Sequence, residues 1–495
     1  MRANAPVMLP IGAMAIVVFV VGLVVSFWVA DIFQLPPALF WATVVVAVSL
    51  GVFFLEHPKL YLFIVFLYLA FLYNGFLFGA FPLGIPLARF IDELWLAVPI
   101  AIIVMRAVNR QTPAGATIFP ALYLVIAIIS YRMNHVPAVN SLRVILSYLK
   151  FYIFWYFTRA IGPWTDRQRK WAFGLFIALA FIQFPMDVYW HRSLKVSNPD
   201  WSLGTIGGAH YVGYVSVMGL FLLAGWFLSL RRPVPVRAAL WMGAVGLGIA
   251  YNFIFMTGTK HALFIMPLAS IPFLLTSAVS RRVKTVFVAV IALFALSSWA
   301  YLNMEGVGTH MTASDYSRTL GMAGKSNTMK VILGSLVSNP LVFFLGAGPG
   351  NFCSSVALFS LRPLAVRHIL PFTLYNVTVN IGAASSVLGT PMSALFTLLG
   401  EFGLLVTIAY FWFWISCVRK SMRMARDPET SPFAQGQLLG IASYIIFLLF
   451  AGSLMEVLNL AIVSLPPWIL LGMYWPTGEP SEGPVLPARF SIMSR

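Results

Sequence analysis

The sequence predicts an all-α integral membrane protein with about fourteen transmembrane helices. Three observations predict it. First, 60% of the 495 residues are hydrophobic and only 9% are charged, whereas a soluble domain carries about 25% charged residues. Second, apolar runs recur at the spacing of one span plus one loop, roughly 35 residues. Third, the short basic connections lie two spans apart, as cytoplasmic loops do. Together these exclude a soluble globular enzyme, a disordered protein and a disulfide scaffold. The net charge of +17 would point to nucleic acid in a soluble chain. Here it reflects the ordinary cytoplasmic excess of Lys and Arg, and no nucleic-acid partner is expected.

The elements follow in order. The run 8–30 exceeds a signal-peptide core of about 7–15 residues and is expected to be an uncleaved first span. Further spans are expected near 38–55, 60–79, 89–107, 117–130, 144–160, 171–190, 209–230, 238–256, 261–279 and 285–302. These complete helices 1–11 within residues 1–302. The third and fourth could be tilted or partly re-entrant, and the fifth is short. Pro82, Pro113, Pro163 and Pro233 punctuate the connections. Residues 303–391 form one large external loop, with apolar stretches at 331–337, 341–345 and 369–374 expected to be short helices at the membrane interface. Helices 12–14 follow at 392–417, 436–455 and 458–475, and the proline-bearing tail 476–495 is expected to be disordered cytoplasmic chain.

The basic connections at Arg106/Arg110, Arg159–Lys170, Arg231–Arg237, Arg281–Lys284 and Arg419–Arg426 fix the orientation. Both termini are then cytoplasmic and the large loop is external. Cys353 and Cys417 fall on opposite sides, so no disulfide is expected between them.

Six of the seven histidines fall on the external side: His135, His191, His210, His261, His310 and His368. Proton chemistry is therefore expected to face outward. Basic residues also gather there against the usual bias, among them Arg132, Arg143, Lys150, Lys260, Arg318, Arg362 and Arg367. Such a set suits an anionic substrate, or else pairs with headgroups and with Asp187 or Asp315. Arg143 and Lys150 are seven apart on one helix and share a face. Asp187, Glu401 and Glu456 are acidic residues in apolar surroundings. A charge about a third of the way into a span, as expected for Glu401, marks a functional site or a partner of a buried cation. No metal-ligand spacing is present, so no protein-held metal is expected. Gly346-Ala-Gly-Pro-Gly-Asn-Phe352 lacks the Lys-Ser/Thr of a nucleotide loop and is expected to be a tight turn with backbone amides facing a pocket.

Four segments, in order, resemble the O-antigen ligase and polymerase family of bacterial envelope proteins. Gly204-Thr-Ile-Gly-Gly-Ala-His210 resembles the family's G-T-F-x-x-P-N segment, and Thr257-Gly-Thr-Lys-His-Ala-Leu-Phe264 its T-x-S-R-x-A turn. Arg318 followed by Pro340-Leu-Val-Phe-Phe-Leu-Gly-Ala-Gly-Pro-Gly-Asn-Phe352 resembles its large-loop segment. Ser393-Ala-Leu-Phe-Thr-Leu-Leu-Gly-Glu-Phe-Gly403 resembles the N-x-x-L-x-x-x-x-E-x-G segment that opens the next span. Two positions depart from the pattern. Lys260 stands where the family usually has Arg, and Met392-Ser393 stands where ligases carry His-Asn. The second departure favours a polymerase over a ligase.

The resemblance implies a GT-C-like membrane glycosyltransferase without cofactor or metal. It would transfer glycan from undecaprenyl diphosphate to an acceptor glycan hydroxyl on the periplasmic face of the bacterial inner membrane, with inversion. Lys260, Arg318, Arg143, Lys150, Arg132, His210 and Arg367 would bind diphosphate or glycan. His368, His261 or Glu401 would serve as base. Chain-length regulators and export proteins would be its protein partners. Two other readings are a lipid-linked oligosaccharide flippase and a polyprenyl-phosphate-sugar transferase using Asp31.

Overall fold

The computed structural model describes residues 37–71, 95–108, 118–194, 204–206, 209–228, 235–257, 259–276, 338–352, 393–454 and 460–475, with a few isolated positions between them. Every regular element among the described residues is helical. The elements are α1 (Pro37–Glu56), α2 (Pro58–Phe71), α3 (Ala97–Val108), α4 (Ile118–Met133), α5 (Ala138–Ala160), α6 (Asp166–Leu194) and α7 (Ala209–Leu228). They continue with α8 (Val236–Tyr251), α9 (Lys260–Ala269), α10 (Ile271–Leu275), α11 (Pro340–Leu345), α12 (Ala394–Arg426), α13 (Pro432–Leu454) and α14 (Ala461–Tyr474). Five helices are long and apolar enough to cross a membrane: Asp166–Ser193, His210–Leu228, Val236–Met256, Ala394–Arg426 and Pro432–Ser453. The chain is a multi-pass, all-helical membrane protein. The expected first span, the eleventh beyond isolated positions, most of the large loop and the tail lie outside the described residues.

Several elements differ from expectation for visible reasons. α1 and α2 meet at 111° around His57, so they are a sharply bent pair rather than two simple crossings. The expected span 261–279 runs as two short helices meeting at Ser270, whose N–H still reaches Met266 O (3.0 Å). Pro272 opens the second helix and cannot donate to the first. α8 ends in a π-helical turn, Asn252–Met256, next to the Thr257 turn.

α12 is 33 residues long, about 50 Å if straight, against a hydrocarbon core of about 30 Å. It is in fact two helices. Gly403 has φ 79° and ψ 178°, a conformation essentially reserved for glycine. A Cβ there would sit 2.4 Å from Phe344 O. The membrane-crossing part therefore begins beyond Gly403. Glu401 lies at its external end rather than a third of the way in.

The core is aromatic. Phe151 of α5 packs on Trp414 of α12 (5.1 Å between centroids) and Trp468 of α14 (4.8 Å). Tyr410 stacks on Trp414 at 5.5 Å. α5 is buried on every side from Tyr148 to Ala160, as a helix apolar all round must be. α13 packs against α7 and α12. Gly436 and Gly440 of α13 form a small-xxx-small pair that lets α7 approach backbone to backbone. A Cβ on Gly440 would lie 2.7 Å from Phe221 O, and one on Gly225 would lie 2.0 Å from Gly436 O.

Contacts at the helix ends align the bundle. Arg426 donates to Leu275 O (3.0 Å), Lys59 donates to Pro163 O (3.1 Å) and Arg169 donates to Met473 O (3.1 Å). The basic connections named above thus collect at one end. The turns at His135, Gly204, Thr257 and Gly346 lie at the other.

Candidate functional site

Two assemblies stand at the end away from the basic connections. The first forms where α12 breaks. The break leaves the carbonyls of Gly400 and Glu401 without their usual helical donors. Ala347 N–H donates to Gly400 O (2.8 Å) and Gly348 N–H to Glu401 O (3.2 Å). The glycine-bearing loop therefore caps the half-helix. The Glu401 side chain, fully buried, turns back into that loop. Gly350 N–H donates to its Oε2 (2.7 Å), while Phe352 N–H (3.2 Å) and Ser354 N–H (2.6 Å) donate to Oε1. The Ser354 hydroxyl bonds it as well.

Every backbone N–H from Gly346 to Phe352, Pro349 excepted, has a protein acceptor. Besides those above, Gly346 N–H reaches Val342 O (2.8 Å) and Asn351 N–H reaches Gly348 O (3.1 Å). The expectation of amides facing an open pocket is thereby corrected: they face the chain's own carboxylate and carbonyls. The loop is also gripped from the α4–α5 turn. Ser130 Oγ donates to Gly346 O (3.2 Å), Asn134 Nδ2 to the same oxygen (3.3 Å), and Ser141 Oγ to Pro349 O (2.9 Å). Gly346, Gly348 and Gly350 all have positive φ, and a Cβ on Gly346 would lie 2.3 Å from Glu401 O. One consequence reaches a cation. Arg362 Nε donates to Asn351 Oδ1 (3.0 Å), and Asn351 Nδ2 donates to Ala347 O (2.8 Å). Arg362 is thus oriented through the loop that Glu401 holds.

The second assembly joins α6, α7 and the turn before α9. Asp187 Oδ1 accepts Gly204 N–H (2.7 Å) and Gln183 Oε1 accepts Thr205 N–H (2.8 Å). Gln183 Nε2 donates to Thr205 Oγ1 (2.8 Å), and Trp190 Nε1 donates to Gly204 O (3.1 Å). His191 Nδ1 lies 3.0 Å from Asp187 O. The Thr257 and Thr259 hydroxyls bond each other (2.9 Å) against Gly213 of α7, where a Cβ would meet Thr259 Oγ1 at 2.0 Å. Gly213 lies one turn beyond His210. The first turn of α7 and the backbone leading to Lys260 and His261 are therefore neighbours.

The predicted site residues divide as follows. Glu401 sits in the first assembly, with both carboxylate oxygens engaged by the loop. Its partners are backbone amides rather than the cation a buried carboxylate suggests. Arg132 is exposed on the last turn of α4, over the Tyr131 ring (5.8 Å). Arg143 is half-buried on α5, two residues past Ser141, and Lys150 is buried two turns deeper. His210 is half-buried in the second assembly. Lys260 and His261 open α9, but their side chains lie outside the described residues, as do Arg318, Arg367 and His368. Sequence reasoning missed Gln183, Asn351 and Ser354, whose polar side chains work on backbone. Among the described residues no three His, Cys, Asp or Glu side chains converge as a metal site would need. No protein-family model matches the chain, and no curated protein matches it significantly.

Proposed function

We propose that the chain is a polymerase of bacterial exopolysaccharide or O-antigen, with about fourteen spans in a GT-C-like arrangement in the inner membrane. Its site faces the periplasm and both termini face the cytoplasm. One observation carries this reading. The four segments that resemble the O-antigen ligase and polymerase family fold as two pairs: Gly204–His210 beside Thr257–Thr259, and Gly346–Phe352 locked onto Ser393–Gly403. Segments more than 40 residues apart have no reason to meet in pairs at one end of a bundle unless that end is used.

The chemistry follows from the charges. An acceptor hydroxyl attacks the anomeric carbon of a glycan on undecaprenyl diphosphate, and the lipid diphosphate leaves with its electron pair. Fixed cations stabilise that departure; Lys260, Arg318, Arg367, Arg143, Lys150 and Arg132 are the proposed set, with His210 at its edge. His368, or His261, takes or orients the acceptor proton. Glu401 serves as the positioning residue of the loop.

The test is purified protein with a defined lipid-linked oligosaccharide, in excess EDTA. Polymer should form without added metal. Lys260→Ala or Arg318→Ala should abolish it at unchanged protein level, and Arg318→Lys should stay poor because Lys makes no bidentate phosphate contact. Near-normal polymer from both Ala variants would defeat the proposed donor site. Full activity in both His368→Ala and His261→Ala would defeat the histidine assignment.

A further inference from the structure

The opposite end of the bundle carries a feature that the proposed reaction does not use. Arg159, at the end of α5, is 6% exposed and lies over the rings of Trp155 (4.7 Å) and Trp475 (5.8 Å). Lys420 of α12 lies over Trp475 as well, at 4.4 Å. The two cations are close enough to repel each other. Arg106 of α3 reaches the same place through Tyr156. Three helices thus bring three cations to one small aromatic cage. The titratable groups facing Arg159 and Lys420 from the packed elements are Tyr152, Tyr156 and Cys417, none of them a carboxylate.

Gathering like charges against low-dielectric aromatic surface is costly, and cation–π contact returns only about 0.5–2 kcal/mol per pair. An anion between them removes the repulsion. The cage has the shape of a receptor: Arg159 forms its buried floor and Lys420 its exposed rim. It stands where helices end, as Trp475 directly follows α14. The outward face of α12 next to it is apolar, with Trp412 (63% exposed, beneath Arg419 at 5.9 Å), Ile415 and Ile408 uncovered.

We propose that Arg159, Lys420 and Arg106 form a binding site for the phosphate of an anionic phospholipid from the leaflet at this end, with its acyl chains along the outward face of α12. Charge-assisted contacts to the phosphate oxygens, with the guanidinium fixed by its two Trp rings, supply the recognition. The site is independent of the polymerase reading; positive-inside orientation makes the leaflet the cytoplasmic one.

The experiment uses the full chain, stripped of lipid in neutral detergent, and follows its unfolding temperature on titration with phosphatidylglycerol, phosphatidylcholine or inorganic phosphate. Phosphatidylglycerol should stabilise it saturably, and the other two should not. Lys420→Gln and Arg106→Gln should each weaken the apparent affinity about five-fold. Both are partly exposed, so they should fold where Arg159→Gln need not. Lys170→Gln, at the same end but outside the cage, should change nothing. Equal stabilisation by phosphatidylcholine, or equal weakening by Lys170→Gln, would overturn the site. Stabilisation by phosphate alone would make it a soluble-anion site and overturn the lipid assignment. So would phosphatidylglycerol binding that emerges only after Glu479→Gln with Glu482→Gln, since the chain's own tail would then be the occupant.

Discussion

Glu401→Gln separates anchoring from proton transfer. In the wild type, Oε1 accepts two backbone N–H groups and Oε2 accepts Gly350 N–H at 2.7 Å. A glutamine can keep one oxygen in place. Its amide nitrogen must then face a backbone donor across a distance where an acceptor belongs. In the better orientation the Gln oxygen serves Phe352 and Ser354, and Gly350 N–H loses its acceptor. A hydrogen bond to a charged group contributes about 1.5–3 kcal/mol, and a stranded buried donor costs about 1–3 kcal/mol more. Relief of the buried charge offsets part of this. The net loss is about 2–4 kcal/mol, confined to the loop because the aromatic core is untouched. By local-opening arithmetic the amides of 346–354 should exchange hydrogen on the order of 30- to 1,000-fold faster. Those of α13 should not change. Polymer synthesis should fall together with loop protection. Wild-type protection at Gly350–Ser354 in Glu401→Gln would refute the anchor. Lost turnover with intact protection would instead return Glu401 to the role of base.

Three further outcomes are expected. Gly440→Leu should abolish folded protein on size-exclusion chromatography, because its Cβ alone comes within 2.7 Å of Phe221 O and backbone cannot give way, whereas Gly174→Ala, with nothing within 4 Å, should fold normally. Gly403→Ala should cost about 1–3 kcal/mol for the backbone conformation alone, more with its contact on Phe344 O, and should free the loop as Glu401→Gln does; unchanged exchange there would contradict the break in α12. A reporter fused at Gly324 should read as periplasmic and one at Met424 as cytoplasmic; a cytoplasmic signal at Gly324 would reverse the orientation.

Hydropathy announced α7, α12, α13 and α14 because their cores are unbroken apolar runs. It placed the start of α5 at residue 144, yet the helix begins at Ala138. Asn140, Ser141 and Arg143 depress the local average, and Ser141 is polar because it holds the loop. The break at Gly403 left no trace in hydropathy, since Phe402 and Leu404 flank it. Only the glycine pattern around Glu401 hinted at it. The carboxylate's partners were the least legible part. Its donors are peptide N–H groups about 50 residues upstream, and a backbone donor has no letter of its own in a sequence. Side-chain identities suggested a cation instead.

The grip on the glycine loop also imposes a schedule on synthesis. Ser130 reaches a partner 216 positions later in the chain, and Ser141 one 208 positions later. At about 5–20 residues per second of translation, the α4–α5 turn waits roughly 10–40 s for the loop to emerge. The loop then waits again for Glu401, about 50 residues further on, before its amides have an acceptor. Throughout that interval the hairpin's hydroxyls and the loop's glycines must be served by water or by a helper protein. The outward-facing assembly is therefore among the last parts of the molecule to close, and a ribosome stalled before α12 would release a chain with its helices inserted and that assembly open.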